Sequence, residues 1–142
     1  MIHSVIIEDS DLQTLKEVVD LGIKFDSKLT FTTHVSQIVV KAKQRLFLLF
    51  RAFHTREIIP LLTAYKSFIL PMFGYCSPVW SPSQFGDIYA IESVQRLFTR
   101  RLTDLIDQSK EARLSILKLP TLELRRLRAD LLMCFKIVHD HI

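Results

Sequence analysis

Arginine and lysine recur in this chain at spacings that could hold a row of phosphates. "VQRLFTRRL" carries Arg96, Arg100 and Arg101, whose steps of four and five keep them on one helical face and its flank. Lys41, Lys43 and Arg45 form a second basic cluster, expected to line one phosphate-contacting groove with the first, and Arg125, Arg126 and Arg128 form a separate third set. The third set falls in the first turns of an expected helix, where cations oppose the helix dipole. An external anion, or Glu123 and neighbouring acids, would account for them. Guanidinium and ammonium groups at such spacings neutralise backbone phosphates without reading bases. The same spacings also fit a solvated face that is rich in arginine.

Charge distribution bears on that choice. The net charge is +4, but residues 1–37 hold three basic and six acidic side chains, and residues 38–142 hold sixteen and nine. A positive excess confined to one segment points to a polyanionic partner more than an evenly basic surface would.

Groups for covalent or metal chemistry do not converge in the sequence. It contains no glycine-rich phosphate loop, no metal-type cysteine pair and no nucleophile elbow. Glu8, Asp9 and Asp11 fall in "EDSD", which reads as a solvated turn rather than a cation site. Cys134, His139 and His141 match no zinc-finger spacing. The expectation is therefore no catalytic residue, no metal ligand set and no cofactor. Cys76 and Cys134 are too few for a disulfide framework and read as reduced core cysteines of an intracellular protein, nuclear or cytoplasmic. No basic-then-apolar leader opens the chain. Residues 58–75 contain one charge, Lys66, but that lysine and two prolines favour a buried helix over a membrane span.

The elements that must position the cations follow from hydrophobic period. At 142 residues, nearly half of them apolar, the chain can bury one core. "SVII" (4–7) and "VVDLGIKF" (18–25) read as two strands of a hairpin, with Gly22 marking a bulge or a close approach. From Thr32 or Thr33, a fair N-cap, the period becomes helical. The predicted fold is mainly α: an N-terminal β-hairpin, then a bundle of about four helices near 33–53, 57–73, 86–106 and 121–139. "LSILKLP" (114–120) reads as an apolar connector, and Thr121 as the cap of a last helix burying Leu124, Leu127, Leu131, Phe135 and Val138. Between the second and third helices, Pro78, Trp80 and Pro82 in "YCSPVWSP" form a stiff elbow, with Trp80 packed inward more plausibly than stacked on a base.

Four blocks in order carry a family resemblance: "VVDLGIKFDSKLTFTTHVSQIVVKAKQRL", "LLTAYKSFILPMFGYCSPVWSP", "IESVQRLFTRRL" and "LSILKLPTLELRRLRADLLMCFKIVH". From about Val18 onward the chain resembles the C-terminal part of non-LTR (LINE-type, jockey-like) retrotransposon reverse transcriptases. "DLGIKFD" is similar to the late-palm hairpin that supports the primer strand, which places Leu21 and Gly22 in that role. The resemblance implies a palm remnant over 1–30 and a helical thumb with post-thumb segment over 31–142. It implies an RNA–DNA template–primer duplex as partner, together with the fingers and palm that this chain lacks. The aspartates that hold two catalytic metals are absent from these blocks, so Mg²⁺ is implied only for the full-length enzyme, and the chain alone is expected not to polymerise. A helical protein–protein interaction module, or a functionless truncated product, stands as the alternative.

Overall fold

The computed structural model describes residues 6–7, 10–11 and 14–142. It is mainly helical, with a small hairpin region followed by a helical bundle. Strands β1 (Ile6–Ile7) and β2 (Ser10–Asp11) pair with each other. Strands β3 (Glu17–Asp20) and β4 (Ile23–Asp26) form the second antiparallel pair. The helices are α1 (Thr32–Ala52), α2 (Ile58–Phe68), α3 (Leu70–Gly74), α4 (Ser77–Trp80), α5 (Phe85–Arg100), α6 (Lys110–Leu117) and α7 (Leu122–Val138). A 3₁₀ turn, Thr103–Leu105, follows α5.

The expected pairing of 4–7 with 18–25 is corrected. Residues 4–5 lie outside the described residues, and Ile6–Ile7 pair with Ser10–Asp11. Residues 17–26 fold on themselves, in register from Glu17 opposite Asp26 to Asp20 opposite Ile23. Leu21 and Gly22 are therefore the two turn residues, not part of a strand with a bulge. Both have positive φ, 48° and 80°, as a two-residue hairpin turn with the strands' twist requires. Nothing lies within 4 Å of where a Cβ on Gly22 would sit, so its φ and not crowding favours glycine there.

Proline and capping chemistry divide the helices. Pro71 interrupts the run expected over 57–73, because it lacks an N–H and clashes with the preceding turn. The chain breaks at Ile69 and resumes as α3 with proline in its first turn. Phe31, in the left-handed region, precedes α1 in place of the expected threonine cap. The Thr32 hydroxyl instead donates to Asp87 Oδ2 (3.0 Å), joining the starts of α1 and α5. Thr121 caps α7 as expected, its Oγ1 accepting from Leu124 N at 3.1 Å. Ser109 does the same for α6, a helix the sequence reading had absorbed into its connector.

The core lies where α1, α2 and α5 meet. Val35, Ala42, Leu46, Leu61, Ile91, Val94 and Leu102 are buried there, with Ile23 entering from the hairpin. An aromatic stack runs through it: Phe98 lies 4.1 Å from Tyr65 with rings parallel within 5°, and 6.1 Å from Phe50. Tyr65 donates to Gln95 Oε1 (3.0 Å), and Gln95 Nε2 donates to the Pro120 carbonyl (2.9 Å). Burial, then the charge of Glu92, pushes the Tyr65 phenol well above its ordinary pKa, so it stays a donor.

Trp80 is fully buried, as expected of the elbow. Its Nε1 donates to the Tyr75 carbonyl (2.7 Å), and its ring meets His34 edge-on at 5.5 Å. Pro78 is exposed and Pro82 half-buried, so the prolines stiffen the corner from outside. The hairpin is tied to this corner. Tyr75 donates to the Leu21 carbonyl (2.8 Å), and His34 Nδ1 accepts from Lys24 N (3.2 Å).

One expected core stripe is overturned. Leu124, Leu127, Leu131, Phe135 and Val138 are 37% to 75% exposed, whereas Leu122 and Arg126 form the buried side of α7. The helix turns its more polar side to the bundle and its leucines outward.

His34 gives the fold a pH dependence. Burial, and next the charge of Lys41, lowers its pKa below 6.5, so the folded state resists its protonation. As pH falls below that value the unfolded chain binds a proton that the folded chain does not, and stability is lost. His34→Gln, which keeps an acceptor for Lys24 N, is expected to lose less thermal stability than the native chain between about pH 7.5 and 5.5. Equal losses in melts across that range would remove His34 as the source.

Candidate nucleic-acid interface

The six cations expected in one groove do not share one surface, and Arg125, Arg126 and Arg128 lie apart from them. Lys43, on the flank of α1 that faces α5, meets Arg96 and Arg100 of α5. With Ser93 and Leu97 they line a concavity of about 200 Å³. α1 packs closely on α5, which brings these residues together. Arg96 lies over the Tyr89 ring at 4.5 Å from its centroid, one and a half to two turns back along the same helix. Arg101 lies beside this seam, its guanidinium 5.1 Å from Phe47 and 5.4 Å from Phe50 on α1. Arg100 and Arg101 are exposed, and Lys43 and Arg96 half-buried.

A fourth cation backs the seam, and the sequence reading passed over it. Arg113, on α6, is 5% exposed. Its Nη1 donates to the Gln108 carbonyl (3.1 Å), while its Nε has no partner. Burial lowers its pKa most, and the positive charges of Arg100 and Arg96 lower it further, with Glu111 opposing. Among the described residues, the only ion pair within 4.0 Å is Lys24 with Glu17 (2.7 Å), at the hairpin. Lys43, Arg96, Arg100 and Arg113 thus gather without a paired carboxylate. The signal that could have found Arg113 is the Ser109 cap, which makes residues 110–117 a helix with an inward face.

Lys41 and Arg45 point elsewhere. Two residues along a helix turn about 200°, so Arg45 lies across the buried stripe of α1 from Lys43. Arg45 donates to the Phe68 carbonyl (3.3 Å) and edges an apolar groove of about 300 Å³ between α1 and α2. Lys41 lines a third concavity with Thr33, Gln37 and Gln44. Arg125 and Arg128 line a fourth, with Phe73, Gly74 and Pro120. The expected single groove therefore reduces to Lys43, Arg96 and Arg100, flanked by Arg101.

Arg126 is buried, 4% exposed, and is not available at the surface. Burial lowers its pKa, and the charges of Glu92, Glu123 and Asp130 oppose that change. Glu92, itself buried, accepts from the Glu123 amide through Oε1 (2.8 Å) and so satisfies the start of α7 from α5. The expectation that nearby acids explain the basic start of α7 fits Arg126. Leu21 and Gly22 are exposed at the hairpin turn, and the Leu21 carbonyl accepts from Tyr75.

No group of three or more His, Cys, Asp or Glu side chains among the described residues is placed to hold a metal ion. Glu8 and Asp9 lie outside those residues. Cys76 and Cys134 are both free thiols, but Cys76 is half-buried and Cys134 is exposed on α7, so the expected core placement fails for Cys134. Among the described residues no helix is long and apolar enough to cross a membrane. The chain matches no protein-family model, no curated protein and no solved structure.

The two kinds of arginine separate in a stability measurement. Arg126→Ala removes a buried side chain and the cation whose charge faces Glu92, and is expected to cost about 1–3 kcal/mol in urea denaturation. Arg125→Ala and Arg128→Ala are expected to cost less than about 1 kcal/mol each. Equal small losses at all three positions would mean that Arg126 is solvated.

Proposed function

We propose that this chain is the thumb-like C-terminal part of a reverse transcriptase of the non-LTR retrotransposon type, and that it holds a template–primer duplex by its phosphates. The observation that carries the reading is the gathering of Lys43, Arg96 and Arg100 in one concavity, backed by Arg113, with no paired carboxylate. Such a cluster is electrostatically strained when empty and relieved by an anion. Aromatic rings under Arg96 and Arg101 restrain the guanidiniums, which lowers the entropy lost when they bind a phosphate.

An RNA–DNA hybrid is A-like and presents sugars and backbone across a wide shallow groove. Cations fixed along two packed helices suit such a backbone and need not read sequence. The four sequence blocks support the same assignment. On this reading the chain contributes grip and no catalysis. The metal-binding aspartates, and the Mg²⁺ they hold, belong to the palm of a longer enzyme. Leu21 and Gly22 would sit near the primer as the tip of its supporting hairpin.

The test is a salt titration of hybrid-duplex binding. Arg96→Ala with Arg100→Ala is expected to weaken binding to duplexes of any sequence about equally, and to lower the log–log salt slope by about one per lost contact. Arg125→Ala with Arg128→Ala serves as the comparison and should change the slope less. Thermal melts should differ little, since exposed cations contribute under about 1 kcal/mol each. An unchanged slope and affinity in the first double variant would defeat the proposal.

A further inference from the structure

We infer that the outer face of α7 is a self-association surface, on which a second copy of this chain packs its own α7 in parallel. Leu124, Leu127, Leu131, Cys134 and Val138 follow one another at steps of three, four, three and four, the a/d spacing of a two-stranded coiled coil. They lie on the side of α7 away from buried Leu122 and Arg126. Leu124, Leu127, Leu131 and Val138 are 37%, 52%, 61% and 75% exposed, and Cys134 is exposed as well.

Beyond the bundle the helix is apolar on every side. Leu132, Met133 and Ile137 are 40% to 58% exposed, and Lys136 is the only charge between Leu131 and Val138. A helix of that composition is ordinarily covered. Nine large apolar side chains between Leu124 and Ile142 are exposed by 37% to 83%. That is more than the scattered apolar surface of an ordinary monomer.

Charge selects the occupant and its direction. With Leu124 and Leu131 at a positions, Glu123 is a g residue and Arg128 an e residue, both exposed. In a parallel pair each g residue meets the partner's e residue five positions on, so Glu123 meets Arg128 of the other copy twice over. An antiparallel pair about Leu131 places Arg128 against Phe135 and leaves both charges without a mate. The parallel arrangement also puts the two Cys134 side chains opposite each other at a d layer. The bundles then lie on outer sides of the helix pair, clear of one another. None of these residues belongs to the α1–α5 seam, so duplex binding and pairing are separable.

The test combines mass in solution with cross-linking. Under reducing conditions, sedimentation equilibrium over a dilution series is expected to give a monomer–dimer equilibrium. Leu131→Glu, at a position that is already exposed, is expected to raise the dissociation constant at least about tenfold with unchanged circular dichroism. Copper(II) phenanthroline under air, with oxygen accepting two electrons and two protons from two thiols, should link Cys134 to Cys134. Cys134→Ser should abolish the link, and Leu131→Glu should suppress it. A monomer throughout would overturn the inference and mark the face as one covered by other protein. A dimer that resists Leu131→Glu, or one that Leu131→Glu dissociates but that forms no Cys134 link, would overturn the seam or its direction respectively.

Discussion

Tyr65 stacks on Phe98 at 4.1 Å and reaches through Gln95 to the Pro120 carbonyl. One side chain thereby joins α2, α5 and the turn leading into α7, while Phe50 brings α1 into the same stack. The relay satisfies polar atoms that burial would otherwise leave unpaired, at about 1–3 kcal/mol for each one lost. Because the phenol stays protonated, the relay has one donor direction and one register. The relative setting of α1 and α5, and with it the distance between Lys43 and Arg96, depends on this centre.

Cations in this chain have two fates, decided by what packs above them. Arg126 is drawn inward, where Glu92, Glu123 and Asp130 offset its burial, and it helps seat α7 on α5. Arg113 is drawn inward among cations, and only Glu111 offsets them. In the first environment the protein's own acids offset part of the burial, although Arg126 Nη1 has no hydrogen-bond partner. The second has no such offset beyond Glu111, and on the proposed reading an anion would supply it, which is why the α1–α5 seam, rather than the start of α7, carries the functional reading. The outer leucines of α7 pose the matching problem in apolar surface, and a second copy solves it there.

Much of this was legible in the sequence, and the misses have physical reasons. The extents of α1 and α7 and the start of α5 followed from strong 3.6-residue periods and from Thr121, though α5 ends at Arg100 and not near 106, and Trp80 was read as a core anchor from its place between prolines. The hairpin was misplaced because Leu21 is not a turn-forming residue, yet it adopts a left-handed φ beside Gly22. The α7 stripe was assigned to the wrong side because periodicity shows that an apolar face exists and not what covers it. The six cations read as one groove split over several surfaces, since Lys43 and Arg45 differ by more than half a turn, and in the separate third set Arg126 faces acids that include Glu92 of another helix. Arg113 was missed because the Ser109 cap, which makes 110–117 a helix with an inward face, was not read.

Amide chemical-shift mapping of the chain titrated with an RNA–DNA hybrid duplex tests the central claim most directly. The account predicts that the largest changes fall on Lys43, on Ser93 through Arg101 and on Arg113, with little change at Lys41, Arg45, Arg125 or Arg128. Largest changes at the α3–α7 concavity, or none at the α1–α5 seam, would contradict it.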